Sequence, residues 1–332
     1  MTGRKLPGER ELALRLGVSR QQVRVLLDIL ESEEVVHRRQ GSGTYAAEVK
    51  NADIQHVALV LDARLKLGND PFFSLIMERL QLGLQAGGTH CVVERTDGTM
   101  RPRFLSDGII TLGTAGLESL AHLRPEDPPA VSLLAEEQYP HSFRGVVSLL
   151  LAEDQGAGYA AAVRAIEEGA KHLLFVGRHH LPASRARWEG VRAAVELSEN
   201  GSIIAEMQDS AMNYGAGLAV ARVIAERFAT VADGSVVLIA ANDWLAVGLR
   251  AGLSAAASPL NLKTIYSFDG LTMASDPALN IRSLRIPLAT FAEDALMELK
   301  RLRRGGKGRV IRYALEWADG ASLPALMPPA FR

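Results

Sequence analysis

Residues 6–45 read LPGERELALRLGVSRQQVRVLLDILESEEVVHRRQGSGTY and carry the clearest structural pattern of the chain. Apolar residues recur at helical spacing over Glu9–Leu16, and Pro7 is suited to the start of that helix. A second helix is predicted over residues 20–33, because Ser19 is a good N-cap and an apolar face repeats every three or four residues. The pattern indicates two short helices in close succession.

A basic hairpin is predicted directly after these helices. Residues 35–39, VVHRR, favour a short strand, and residues 40–44, QGSGT, form a glycine turn into a second strand. Two helices followed by a basic hairpin are typical of a winged helix-turn-helix, which places one helix in a DNA major groove. We therefore predict a small DNA-binding head over residues 1–46.

The candidate DNA-reading residues lie at the start of the second predicted helix. Its polar face shows side-chain types that hydrogen-bond base edges and phosphates, namely Arg20, Gln21, Gln22 and Arg24. Residues 1–24 contain six Lys or Arg against two Glu, whereas the whole chain has a formal net charge of −1. The positive charge is thus local, as expected for a specific site rather than general polyanion binding.

The head closely resembles the winged-helix domain of the GntR family of bacterial regulators. The shared motifs are LP-x-ER-x-LA-x-x-LGVSR-x-x-VR and the RRQG-x-GT wing. This resemblance implies two sets of DNA-facing residues, one on the helices and one on the wing: Arg10, Ser19, Arg20, Gln21, Gln22 and Arg24, then Arg39, Gln40 and Gly41. Family members usually carry another helix before the LP motif, so either the true start lies upstream or that helix is missing.

The rest of the chain predicts an α/β body of the doubly wound type. Short apolar strands alternate with amphipathic helices, which indicates parallel sheets, and their number indicates two lobes with a cleft between them. We expect a linker over residues 47–55 and the body over residues 56–332. Strands are predicted near residues 56–61, 91–93, 108–112, 130–134, 146–150, 172–176, 236–240 and 264–268. Helices are predicted at residues 72–86, 158–168, 185–198, 215–228 and 244–253.

The body resembles the effector-binding domain of the lactose/galactose-repressor family, which is similar to periplasmic sugar-binding proteins. The segments that carry this resemblance are NDPFFSLIMERLQLGLQAGG (69–88), SDGIITLG (106–113), GAKHLLFVG (169–177), ASRARWEGVRAAV (183–195) and AANDWLAVGLRAGL (240–253). A GntR-type head fused to such a sensor also occurs in bacterial repressors of the arabinose-regulator type. The combination implies a ligand-responsive transcriptional regulator, by default a repressor, that binds operator DNA as a homodimer.

An effector site is predicted at the carboxyl ends of the strands. Asn242 and Asp269 each follow a predicted strand, and Arg187 lies near the start of a helix, so all three can face the crevice where ligands bind. Their polar groups suit the hydroxyls of a sugar or polyol, while Phe72 or Phe73 covers an apolar ring face. The resemblance implies the same contacts. The alternatives are that Asn242 caps the next helix and that Phe73 fills the core.

Two departures from the repressor family concern this site. Only residues 94–107 separate the second and third predicted strands, where relatives have a longer segment that carries a helix. Ile286 precedes Pro287, where relatives often have a glutamine that contacts the ligand. Either the effector differs from common hexoses or the site has degenerated.

Other functional classes are less well supported by the sequence. Residues 156–161 match the GxGxxA dinucleotide pattern, but Glu153 and Asp154 precede the glycines and would repel a pyrophosphate. The pair His179-His180 lacks a third metal ligand. A nucleotide-dependent enzyme and a solute-binding protein without DNA activity remain the alternatives, and we expect no metal or cofactor.

Composition is consistent with a protein of the bacterial cytoplasm. Apolar residues make up 48% of the chain, which suffices for a substantial core, and no apolar run approaches the roughly 20 residues of a membrane span. Cys91 is the only cysteine, expected as a buried inert thiol. Residues 300–312 are rich in Lys and Arg. A favourable interaction with a helix dipole is preferred there over a second nucleic-acid surface.

Overall fold

The computed structural model describes residues 5–32, 36–39, 41–46, 54–103, 105–134, 143–198, 203–230, 235–256 and 264–321. The head consists of α1 (Glu9–Leu16), α2 (Arg20–Ser32) and the antiparallel hairpin β1 (Val36–Arg39) and β2 (Gly43–Ala46). Gly17 ends α1 in the left-handed conformation, with φ 66°. Ala13, Val23 and Leu27 form a small core between the helices. These elements confirm the predicted winged helix-turn-helix.

Lobe 1 of the body begins with five parallel strands and two helices. They are β3 (His56–Asp62), α3 (Pro71–Ala86), β4 (His90–Thr96), β5 (Gly108–Leu112), α4 (Thr114–Ser119), β6 (Ala130–Leu133) and β7 (Val147–Ala152). Every residue of β5 and β6 is buried, as expected for strands covered on both faces. The segment between β4 and β5 contains no helix among its described residues, in agreement with its short length.

Lobe 2 continues the alternation with a second sheet. Its elements are α5 (Asp154–Glu167), β8 (His172–Gly177), α6 (Pro182–Glu196), β9 (Ile204–Asp209), α7 (Tyr214–Arg227), β10 (Val236–Ala240), α8 (Asp243–Ala255), β11 (Ile265–Asp269) and β12 (Ile281–Arg285). Helices α5 and α6 pack together, as do α7 and α8. Strand β9, which was not predicted from the sequence, is a partly exposed edge strand.

The chain then returns to lobe 1 and crosses to lobe 2 once more. Helix α9 (Leu288–Arg303) covers the first sheet, β13 (Val310–Tyr313) joins its edge, and β14 (Glu316–Trp317) joins the edge of the second. The sheet orders are β13-β7-β6-β5-β3-β4 and β14-β12-β11-β10-β8-β9. Among the described strands of these two sheets, only the β12–β14 pair is antiparallel. Three crossings therefore connect the lobes, and the predicted doubly wound two-lobed body is confirmed.

Some details differ from the sequence-based expectations. Helix α5 begins at Asp154, four residues before the predicted start, because an acidic residue is favourable in the first turn of a helix. Cys91 is half-buried rather than buried, since β4 is an edge strand. Ile54 and Gln55, expected in the linker, already contact lobe 1. Within the part of the chain that the structure describes, no helix is long and apolar enough to cross a membrane.

Candidate functional site

The first turn of α2 is fixed by a reciprocal pair of polar residues. The backbone amide of Gln22 donates to Ser19 Oγ at 3.2 Å, and the Gln22 side-chain oxygen accepts from the Ser19 amide at 2.9 Å. This arrangement is a capping box, which satisfies amides that the helix leaves without partners. Ser19 and Gln22 thus have a structural role in the absence of DNA, and both remain exposed.

The two arginines of the α2 face share one carboxylate. Arg24 Nε lies 2.9 Å from Glu9 Oε2, and Arg20 Nη2 lies 4.0 Å from the same atom. Glu9 therefore positions both cations beside α1. The remaining described candidates are all exposed: Arg10, Gln21, Arg39 and Gly41. Gln40 lies outside the described residues.

The candidate effector site centres on Arg187, whose side chain is 4% exposed in α6. Its Nε donates to Asp154 Oδ1 at 2.7 Å, and its Nη1 donates to the carbonyl oxygen of Ala241 at 2.5 Å. Nη1 also lies 3.5 Å from Asp269 Oδ1. The guanidinium stacks over the Phe268 ring at 4.7 Å. Arg187 thus brings together the carboxyl end of β11 and the first turn of α5.

Carboxylates outnumber the cation at this site. Burial raises the pKa of Asp269 well above its usual range; the charge of Arg187 opposes this effect, and the charges of Asp243, Asp70 and Asp154 add to it. Burial likewise raises the pKa of Asp154 and of Asp70, which lies within electrostatic range of Asp269. Burial opposes the charge of Arg187, but Asp154 and Asp269 raise its pKa overall. The site therefore holds more carboxyl groups than cations, and a carboxyl group that keeps its proton can both donate and accept a hydrogen bond.

Asp243 is a fourth carboxylate with structural partners. It is fully buried, and its carboxylate accepts from the Ser267 hydroxyl and from the Leu271 amide. Burial raises the pKa of Asp243 to about 6. Asn242 caps α8 by accepting from the Leu245 amide at 2.9 Å, and it donates to the Met212 carbonyl at 3.2 Å. Asn242 is thus the N-cap of α8, which was the structural alternative to a role in ligand binding.

The aromatic pair lies at the start of α3 in lobe 1. Phe72 is buried in the core, whereas Phe73 is only partly buried, and their rings meet edge to face at 5.5 Å. Asp70 caps this helix by accepting from both of their amides. Because Asp70 is within electrostatic range of Asp269, this helix start lies near the lobe 2 cluster. Ile286 is buried and offers no polar side chain.

The glycines of the dinucleotide-like motif have a packing role. Gly156 and Gly158 lie inside α5, and a Cβ on Gly158 would lie 1.9 Å from the Arg187 carbonyl oxygen. A Cβ on Gly190 would lie 2.0 Å from the Gln155 carbonyl oxygen. The glycines therefore allow α5 and α6 to approach closely and bring Arg187 to Asp154. The sequence predicted Asp154 only as a charge that would repel a pyrophosphate, whereas its side chain belongs to the site.

The two adjacent histidines are exposed and paired with an acid on one side. His179 Nδ1 lies 3.1 Å from Asp209 Oδ1, and the His180 ring meets His179 edge to face. Among the residues that the structure describes, no three His, Cys, Asp or Glu side chains are grouped to hold a metal ion.

The head and the body are similar to different groups of known proteins. Residues 1–46 match the family model described as bacterial regulatory proteins, gntR family. A protein of Escherichia coli (strain K12) that is proposed to regulate the L-lactate dehydrogenase operon is 32% identical over 97 residues. Those residues are 29% of this chain and 37% of that protein, so the match spans little more than a third of the relative.

The body is similar to solved structures of sugar-bound regulators. A LacI family transcriptional regulator from Enterococcus faecium with bound ribose has a TM-score of 0.60 at 18% identity, over 82% of this chain and 99% of that chain. The transcriptional regulator CelR in complex with cellobiose has a TM-score of 0.62 at 17% identity, over 94% and 98%. At these identities the likeness establishes the fold.

The protein thus combines two known modules. Its head is a winged helix of the gntR type, and its body has the fold of LacI-family regulators. The resemblance of the head to the gntR family is confirmed, and the resemblance of the body is confirmed at the level of the fold.

Proposed function

We propose that the protein is a transcriptional regulator of the bacterial cytoplasm that binds operator DNA through its head and a small effector through its body. The observation that carries this proposal is that one chain holds both sites. The polar face of α2 is exposed in the head, and in the body Arg187 is buried against Asp154 and Asp269, where the chain passes from lobe 1 into lobe 2. The DNA-facing residues are those of the helices and wing named above. Two chains pair and present two heads to a two-fold site.

The effector is a neutral, hydroxyl-rich molecule such as a sugar or polyol. Asp269 is 6% exposed, and among the described side chains its carboxylate has the single 3.5 Å contact with Arg187, so it can accept hydrogen bonds from a ligand. The site offers no spare positive charge to an anionic ligand such as a phosphate, because its one described cation, Arg187, already pairs with Asp154 and Asp269. Ribose and cellobiose occupy the two similar structures, which supports the same class here.

DNA binding is tested by selecting duplexes from a random library with the full-length chain. The selected duplex should bind R20A/R24A at least tenfold more weakly than wild type. Arg15→Ala is the matched control, because Arg15 is exposed on α1 and pairs with Glu11. Failure to enrich any sequence would contradict the proposed function.

Effector binding is tested by a thermal-shift screen of neutral sugars, polyols and their phosphates. A neutral compound should raise the unfolding temperature of wild type and change its affinity for the selected duplex. The shift should be lost in D269N but kept in D276N, a change on an exposed turn. A shift produced only by phosphorylated compounds would contradict the proposed effector class.

A further inference from the structure

We infer that the body makes a second contact with DNA, to the phosphates that flank the site held by the head. The inference rests on the proposed function and concerns four cations at one end of lobe 1. This linker-side patch consists of Arg144, Lys300, Arg304 and Lys307.

The patch lies where the linker reaches the body. The carboxylate of Asp107 accepts from the amides of Gln55 and His56, each at 3.0 Å. The same carboxylate accepts from Arg303 Nη2 at 3.0 Å. The last turn of α9 is therefore tied to the residues that directly follow the linker, and Lys300 and Arg304 belong to this end of the helix.

The other two cations flank the neighbouring strand start. Gly308 packs so closely on β7 that a Cβ there would lie 2.0 Å from the Val147 carbonyl oxygen. The Arg309 amide donates to Ser148 Oγ at 3.0 Å. Lys307 lies three residues before β13 and Arg144 three residues before β7, and these two strands are paired in parallel, so both residues lie at the same edge of the sheet.

The positive charge of the patch is not compensated locally. Within the described ranges, none of its four cations forms an ion pair. The nearby carboxylates are already engaged by other arginines: Asp107 by Arg303, Asp127 by Arg101, Glu126 by Arg124, and Glu298 by Arg301 and Arg309. Counted over the described residues named here, the linker side of lobe 1 therefore carries more positive than negative charge.

The helix dipole explains only part of this charge. Lys300 lies in the last turn of α9, where a cation interacts favourably with the carboxyl end of the helix. Lys307 and Arg144 lie outside the helix, and the dipole effect falls off within one turn. The dipole interpretation preferred from sequence alone is therefore incomplete.

The linker keeps this surface close to the DNA. Eight Cα–Cα steps separate Ala46 at the end of the head from Ile54 of the body, which limits their distance to about 29 Å. Exposed Lys and Arg side chains neutralise phosphates without reading bases. The partner that fits such a surface at this position is the duplex backbone beside the operator.

The test compares two lengths of the selected duplex, the bound site alone and the same site with about 12 additional base pairs on each side. Full-length wild type and R304Q/K307Q are titrated against both over a range of salt concentrations. The matched control is K171Q/R222Q, which removes one Lys and one Arg from exposed positions of lobe 2.

We expect R304Q/K307Q to bind the short duplex like wild type and the long duplex about five- to tenfold more weakly. The slope of log K against log salt on the long duplex should fall by about one for each phosphate that the variant no longer neutralises. The control should match wild type on both lengths. Equal affinities and slopes for R304Q/K307Q and wild type on the long duplex would overturn the inference.

The outcomes separate this inference from the proposed function. If R304Q/K307Q behaves like wild type while R20A/R24A loses binding, the head binds DNA and the patch does not. If wild type itself selects no sequence, both are overturned.

Discussion

Arg187 Nε lies 2.7 Å from Asp154 Oδ1, and this ion pair ties α6 to the first turn of α5. Arg187 Nη1 also lies 3.5 Å from Asp269 Oδ1, and Asp154 is within electrostatic range of Asp269, so the cluster has more carboxylates than cations. Removing the cation would leave buried carboxylates without their partner, which is far more costly than losing an exposed pair.

We therefore expect Arg187→Ala to lower the free energy of unfolding by about 3–5 kcal/mol. Urea denaturation followed by circular dichroism measures the change. Arg185→Ala is the control, because Arg185 is 43% exposed and lies 4.0 Å from Glu189, and it should shift stability by less than about 0.5 kcal/mol. Equal stabilities for the two variants would show that the cluster does not depend on its cation.

The two glycines of α5 should respond oppositely to alanine. Gly158→Ala places a Cβ against the backbone of Arg187, and we expect a loss of about 1–3 kcal/mol from overpacking. Gly156 has no atom within 4 Å of an added Cβ, so Gly156→Ala should be neutral or stabilise by up to about 1 kcal/mol. Thermal and urea unfolding distinguish them. A stable Gly158→Ala would mean that α5 and α6 are farther apart than described.

Asp243 makes stability depend on pH. Burial raises its pKa from 3.8 to about 6, so the folded state holds this proton more tightly than the unfolded state. Its stabilising contribution is fully present below about pH 4 and is lost as the pH rises through about 6. Between these values we expect wild type to lose on the order of 2 kcal/mol relative to Asp243→Asn. Urea titrations across this range provide the comparison, and parallel pH profiles would contradict it.

Glu9 should weaken DNA binding by holding Arg20 and Arg24. Both arginines lie within 4.0 Å of its carboxylate, which competes with phosphates for them. We expect Glu9→Gln to bind the selected duplex about two- to fivefold more tightly at low salt, the range of an exposed ion pair. Glu11→Gln on the same helix releases only Arg15 and should leave affinity unchanged. Fluorescence polarisation resolves the difference; tighter binding by both variants would indicate a general charge effect.

The sequence predicted the regular parts of this fold because their patterns are local. Strands β5 and β6 are short apolar runs, and α2 has an apolar face with a good N-cap, so neither needs knowledge of distant residues. Strand β9 was missed because it is a half-exposed edge strand, and β14 because two residues carry no period. Both exist through pairing with a neighbour that is remote in sequence.

The candidate site was predicted only in part, because some of its residues have a local sequence signal and others do not. Asp269 could be predicted because it follows an apolar strand, and Arg187 because it lies near the start of a helix. The structure places Arg187 Nη1 3.5 Å from Asp269 Oδ1. Asp154 and Asp70 were missed because each lies at the start of a helix, where an acidic residue is common without any ligand. Only the approach of α5 to α6 shows that Asp154 faces Arg187.

The three crossings between lobes bear on how the chain is made. Lobe 1 begins at residue 54, but its covering helix α9 and its edge strand β13 come from residues 288–313. Nearly all of lobe 2 is therefore synthesised before α9 and β13, which complete lobe 1, leave the ribosome. During synthesis the β7 edge stays open and apolar, as a surface that a chaperone or another nascent chain can bind.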